Sequence, residues 1–301
     1  MNEIRNQSDP AVRAAQRAAG LSCWSGPVEP EVLSGGITNH NFVVRDGGAR
    51  YVVRVAEDIP VHGIMRFNEL AASRAAHAAG VSPEVVHAEP GALVMRYIEG
   101  TTYGEADVRT AQAAGRIVPI IKRVHHEIPK HFQGPALIFW VFQVVRGYAN
   151  TLAKAESRMT PELPRYLAVN EELETTLGPV EIVFGHNDLL VANFIDDGAR
   201  LWLVDWDYAG FNAPLFDLAN LASNNLFSPA EEDRLLEDYF ETPATDALRH
   251  KLRAMKCVSL LRESMWSMVS EIHLEIDFDY VAYTTENLVR FERAYADFKA
   301  G

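Results

Sequence analysis

The sequence predicts an α+β fold of two unequal lobes. Residues 1–99 form a small antiparallel sheet with one inserted helix and a leading helix, and residues 100–301 form a larger, mostly helical part. Three observations predict it. Short apolar or alternating runs separated by glycine turns fill the first hundred residues. After Ile98-Glu99-Gly100 the runs lengthen to helical size. A single hairpin-like stretch, residues 183–210, interrupts the helices.

The elements follow in order. Asp9-Pro10 before AVRAAQRAA and Gly20 supplies an N-cap, an N1 proline and a stop for a first helix. Residues 28–33 and 40–45 read as strands joined across Ser34-Gly35-Gly36, and Gly47-Gly48 turns the chain into a third at 50–55. An alanine-rich helix over 66–79 stops at Gly80, and strands 85–88 and 92–97 meet at Pro90-Gly91. Past a connector at 97–102, residues 105–126, 136–158 and 161–177 read as helices. Two short apolar runs, 193–196 and 200–205, flank the turn signal Asp197-Gly198. Helices resume over 215–226, 229–240, 246–271 and 279–298.

Composition narrows the class. The 301 residues are 48% hydrophobic and 23% charged, as in ordinary globular proteins. No apolar run approaches the ~18–20 residues of a membrane span. MNEIRNQSDP lacks the apolar core of a signal peptide, so a cytoplasmic protein with no membrane partner is expected. Cys23 and Cys257 lie far apart, without metal-ligand spacing, and read as free buried thiols. A net charge of −13 argues against nucleic acid as partner and fits a small cationic substrate; a homodimer stays open.

The central stretch carries the chemistry. His186-Asn187-Asp188 is followed by Asn193, and Asp205 and Asp207 close the second apolar run. A hairpin over 193–205 brings Asn193 and Asp205 side by side, with Asp188 in the loop before them. Such hard oxygen ligands suit Mg²⁺ held with a polyphosphate, and Asp207 is a further candidate ligand. Asp188 is then the carboxylate that accepts a proton from a hydroxyl nucleophile, the parts list of phosphoryl transfer. His186 reads as structural, holding the loop through backbone hydrogen bonds. Alone, each of these residues is as well explained as a cap or turn residue.

Other candidates surround this stretch. Gly35-Gly36, with Thr38 and Asn39, reads either as a plain hairpin turn or as a backbone cradle for phosphates. Arg54, between valines, is either paired with Glu69 and aimed at phosphates or exposed on a polar strand face. Trp266, Phe278 and Tyr283, with Tyr208 after the hairpin, read either as core or as aromatic faces for a quaternary ammonium. His125, His126 and His131 read as helix-end polar residues.

With these residues in place the sequence resembles the choline/ethanolamine kinase family, within the aminoglycoside phosphotransferase-like kinases. The matching pieces are Gly35-Gly36-Ile37-Thr38-Asn39, Val53-Arg54-Val55, His186-Asn187-Asp188-Leu189 to Asn193, Leu203-Val204-Asp205-Trp206-Asp207-Tyr208, Phe216-Asp217-Leu218-Ala219-Asn220 and Met265-Trp266-Ser267-Met268-Val269. The resemblance implies a bilobal protein-kinase-like fold and transfer of the ATP γ-phosphoryl group, with Mg²⁺, to choline or a related amino alcohol. Ethanolamine, an aminoglycoside, a sugar or homoserine are the alternative acceptors. A catalytically silent nucleotide- or cation-binding protein is the alternative class. It further implies Asp188 as base, Asn193 and Asp205 as metal ligands, Asp217 as a brace of the catalytic loop, Arg54 on the phosphates and adenine near Met95 and Tyr97. The cation pocket it implies maps to Tyr208, Trp266, Phe278 and Tyr283. Glu263 stands where the family has a tryptophan, and one turn from Trp266 it is expected to supply the pocket's negative charge.

Overall fold

The computed structural model describes residues 10–33, 39–274, 276 and 278–301. Asp9 and the expected phosphate turn at Gly35, Gly36 and Thr38 lie outside the described residues.

Helix α1 (Pro10–Ala19) lays Ala14 and Ala18 on a five-stranded sheet. The strands are β1 (Glu31–Val32), β2 (His40–Asp46), β3 (Ala49–Val55), β4 (Val85–Glu89) and β5 (Ala92–Arg96), in the order β1-β2-β3-β5-β4. Every neighbouring pair is antiparallel, with Asn41 opposite Arg54 and Arg54 opposite Leu93. Phe42, Val44, Val53 and Val94 form this sheet's own small core under α1. The first strand is shorter than the expected 28–33. Pro30 has no N–H for a ladder, and the strand is reduced to Glu31 and Val32, with the Leu33 N–H donating to the Asn41 carbonyl of β2 just past it.

Helix α2 (Arg66–Ala78) stands between the lobes. Its buried face, Ala72, Ala75 and Ala76, joins the large core of the helical lobe rather than the sheet's core. Asn68 fixes the same side by donating to the Ala209 carbonyl at 2.8 Å. The chain crosses between lobes through Gly100 into β6 (Thr101–Thr102), which pairs with β8 (Phe194–Asp196). A Cβ on Gly100 would lie 2.5 Å from the Asp196 carbonyl oxygen, closer than any carbon is tolerated, so the crossing requires glycine.

The helical lobe comprises α3 (Glu105–Val108), α4 (Ala111–His126), α5 (Ile128–His131), α6 (Val141–Lys154), α7 (Leu163–Leu177), α8 (Pro214–Asn224), α9 (Pro229–Phe240), α10 (Asp246–His273) and α11 (Tyr280–Ala300). Helix α10 is its axis, packed by α6, α7, α8 and α11. Two expected helices are shorter than read. Residues 105–126 break because Thr110 caps a new helix, its hydroxyl accepting from the Ala113 N–H. The helix read over 136–158 begins only at Val141, since Leu137 and Phe139 exchange backbone hydrogen bonds with Phe211.

The expected hairpin is present as β8 and β9 (Leu201–Leu203), with Phe194 opposite Leu203. Its loop spans 197–200, not two residues: the Asp197 carboxylate accepts from the Ala199 and Arg200 N–H groups, and Gly198 takes φ +86°. The apolar, strand-like run before Asp188 is β7 (Val183–Gly185), and it pairs antiparallel with β10 (Gly210–Asn212), a short strand that escaped the sequence reading. Cys257 is buried, but Cys23 is only half-buried, against the expectation for both. No helix among the described residues is long and apolar enough to cross a membrane.

Candidate active site

Strand β7 runs into a loop that the surrounding side chains fix almost atom by atom. Asn187 adopts φ +66°, a left-handed conformation that a non-glycine residue holds only under constraint. Its Nδ2 donates to the carbonyls of Tyr208 at 2.9 Å and Gly210 at 3.0 Å, tying the loop to β10. Asp217, near the start of α8, accepts from the backbone N–H of His186 at 2.8 Å and of Asn187 at 2.7 Å. His125 Nε2 meets the same carboxylate at 3.0 Å, and its Nδ1 meets the Tyr239 hydroxyl at 2.6 Å. Burial pushes Asp217 up, but hydrogen bonds from His125 and the His186 backbone more than offset this and hold it below the usual carboxylate range. His125 is thus a buried member of the brace, not the helix-end polar residue the sequence suggested. Its spacing held a signal: it follows Ile117 and Ile121 at four-residue intervals on the buried face of α4.

His186 is wholly buried and packs on Trp206 with ring centroids 4.7 Å apart. Its Nδ1 accepts from the Asp188 N–H and its Nε2 lies 3.0 Å from the Val204 carbonyl, which fixes the Nε2–H tautomer. The imidazole therefore supports the loop and is engaged at both nitrogens. Burial lowers its affinity for a second proton.

Asp188 follows, half-buried. Burial is the main cause that pushes its carboxyl up to about 8; Glu263, Asp205 and Asp207 add to the shift, and Arg262 opposes it. Asn193 donates from Nδ2 to the Asp188 carbonyl at 2.9 Å, and Val204 donates to the Asn193 carbonyl, so the two ends of the hairpin meet beside Asp188. Asp205 sits there at φ +73°.

Two arginines bind this acid cluster from the sheet side. Arg54 is 7% exposed, and its Nη1 donates to Glu69 at 2.7 Å and to Asp205 and Asp207 at 2.9 Å each. The buried, paired reading of Arg54 is the one realised. Burial would raise Asp205, but the adjacent Arg54 charge holds it below the usual range. Asp207 is pushed up to about 6 by burial and by Asp205. Arg66, which the sequence reading missed, donates to Glu69 at 2.6 Å, to Asp207 at 2.8 Å and to Asn39 at 3.1 Å. Asn39 in turn donates to Asp207 Oδ2 at 2.9 Å. Both Asp207 oxygens therefore accept from protein donors, Oδ1 from Arg54 and Arg66 and Oδ2 from Asn39. Three carboxylates, Glu69, Asp205 and Asp207, face two guanidinium groups, leaving an excess of negative charge for a divalent cation. The donor set itself fits one. The Asn193 amide nitrogen is anchored, which leaves its carbonyl oxygen outward, and Asp205 adds a carboxylate.

A cleft of about 300 Å³ opens between the sheet and this cluster. Val52, Met95, Ile98, Ile195 and Val204 give it apolar walls for a flat ring, and Arg54, Asn193 and Asp205 line it as well. Tyr97 lines it too, with the Arg50 guanidinium 4.2 Å from its ring centre.

The aromatic residues gather in one place. Trp266 lies 6.2 Å from Tyr283, and Tyr283 lies 5.5 Å from Phe278. The Tyr208 ring packs instead against Phe139, 5.9 Å away, with the Arg262 guanidinium 4.4 Å from its centre. Glu263 accepts from the Tyr283 hydroxyl at 2.8 Å and from Arg262 Nη1 at 2.8 Å. Glu263 is thus paired with Arg262 within the protein.

A sequence profile of the phosphotransferase enzyme family matches residues 29–255 of this chain. Protein LicA of Haemophilus influenzae is 27% identical over 261 residues, covering 82% of this chain and 75% of that protein. Ethanolamine kinase 2 of Mus musculus is 25% identical over 289 residues, covering 86% of this chain and 74% of that protein. A solved structure of a choline/ethanolamine kinase family protein from Mesorhizobium loti is similar at TM-score 0.71 and 27% identity, over 100% of this chain and 98% of that one.

Proposed function

Because the chain belongs to the phosphotransferase enzyme family, we propose that it is a kinase transferring the γ-phosphoryl group of ATP, with Mg²⁺, to the hydroxyl of choline or a related amino alcohol. The observation that carries this reading is the position of Asp188. It adjoins the hairpin ends Asn193 and Asp205 on one side and feels the charges of Arg262 and Glu263 on the other. The similarity to LicA and to ethanolamine kinase 2 supports an amino alcohol as acceptor.

The apolar cleft walls receive the adenine, and backbone near Met95 and Tyr97 positions it. Asn193 and Asp205 would hold Mg²⁺. When bound, the metal supplies charge neutralisation to the polyphosphate and the transferring group. Arg54 keeps the Asp205 carboxylate ionised and in place at the edge of the cleft. Asp188 orients the acceptor hydroxyl and takes its proton as the new P–O bond forms. The Asp217 brace and the Asn187 anchors hold the loop rigid, so that positioning does most of the catalytic work.

The test is ADP release from Mg–ATP across choline, ethanolamine, homoserine, a sugar and an aminoglycoside. Turnover dependent on an amino alcohol is expected. Turnover only with the sugar or the aminoglycoside would replace the acceptor, and ATP binding without turnover on any acceptor would replace the activity.

A further inference from the structure

The sheet has a second face that its own small core does not cover. Along β3 and β5 the side chains alternate: Val53 and Val94 lie in the core under α1, whereas Arg54 and its cross-strand partner Leu93 turn the other way. Among the described residues, Leu93 is buried yet belongs to neither apolar core. The element that faces it is α2, and α2 has given its alanine face to the helical lobe. Sheet and helix therefore enclose a cavity of about 310 Å³ instead of a packed seam. Ala56, Ala88 and Leu93 wall it from the sheet, and Phe67 and Leu70 wall it from the helix. Arg54 lines this cavity and also the cleft beside Asn193 and Asp205, so one buried side chain stands between the two.

We propose that this cavity is a ligand site of its own, taking a compact, uncharged aromatic molecule of two fused rings, whose binding tightens the nucleotide cleft. Size and charge set the class. An apolar cavity of ~150 Å³ holds one benzene ring, and this one is about twice as large. The charged groups that line it are already matched: Arg54 and Arg66 share Glu69 and Asp207, and Glu89 is held by Arg17. They need no counter-ion, and an ionic ligand would give up its hydration without gaining a partner. An apolar occupant instead packs on Leu93 and Leu70 and takes from water part of Phe67, which is 46% exposed. The coupling follows from Arg54. A molecule held between sheet and α2 favours the arrangement in which Arg54 reaches Glu69 and holds Asp205 at the cleft edge. Mg–ADP draws on the same arrangement, so each ligand strengthens the other. This coupling rests on the nucleotide reading above; the site does not.

The probe is indole, titrated into the full chain with and without Mg–ADP and followed by calorimetry. Tryptamine and indole-3-acetate serve as its cationic and anionic counterparts. Indole is expected to bind one to one with Kd on the order of 1 mM or tighter, and both charged counterparts should bind more weakly. At saturating indole, Mg–ADP affinity should rise about fivefold or more, the lower end of ordinary coupling between sites. Ala88→Phe on the sheet wall and Leu70→Trp on the helix wall fill the cavity. Either variant, shown to be folded by its melting curve, should lose indole binding. No saturable binding, binding that survives in either folded variant, or charged counterparts bound as tightly as indole overturns the site. Indole binding that leaves Mg–ADP affinity unmoved overturns the coupling. A chain that binds indole but no Mg–ADP overturns the nucleotide reading, and the coupling with it, while the site stands.

Discussion

At Asp188 the fold works against the charge that the chemistry needs. Its carboxyl is held near 8 in the folded chain, whereas an unfolded aspartate titrates near 3.9. A folded-state value raised in this way gives stability that is full below about pH 4 and is lost as the pH climbs through 8. In metal-free enzyme, Asp188→Asn should therefore raise the melting temperature at pH 8–9 and give no gain near pH 4. A variant no more stable than the parent at pH 9 contradicts the raised carboxyl of Asp188. Asp188 could be singled out in the sequence because it sits in a fixed pattern with Asn193 and Asp205. Arg262 could not: an arginine in LLRESMW reads as a surface residue. Yet it follows Val258 and precedes Trp266 at four-residue spacing on the buried stripe of α10, and that periodicity was the available signal.

Among the elements, α8 and α4 hold the loop at residues 186–188 through Asp217 and His125. Asp217 gathers two backbone N–H groups and His125 in a buried site. Asp217→Ala leaves those donors without an acceptor and should cost about 3–5 kcal/mol, read as a lower urea midpoint, together with a fall in turnover. An unchanged midpoint would show that the brace carries no load. The hairpin was legible because Asp197-Gly198 separates two apolar runs, and its ends met as the sequence implied. Strand β10 was not, since its three residues carry too short a pattern. The break at Thr110 was hidden because helical periodicity continues on both sides of it.

For the molecule as a whole, the order of strands and helices could be read along the chain, but not which core each element serves. Helix α2 shows this. Its buried face is alanine, which packs equally well on a sheet or on helices, and it joins the helical lobe. That choice matters, because Glu69 on α2 then presents its carboxylate to Arg54 from the sheet and holds both lobes to one acid cluster. The account's central claim is that this junction performs hydroxyl phosphorylation with Asp188 as base. Its most direct test compares the parent chain with Asp188→Asn for acceptor-dependent ADP release from Mg–ATP, alongside ATP affinity. The account predicts a loss of about 10²–10⁴-fold in kcat with ATP affinity retained. Turnover by Asp188→Asn at close to the parent rate would contradict it.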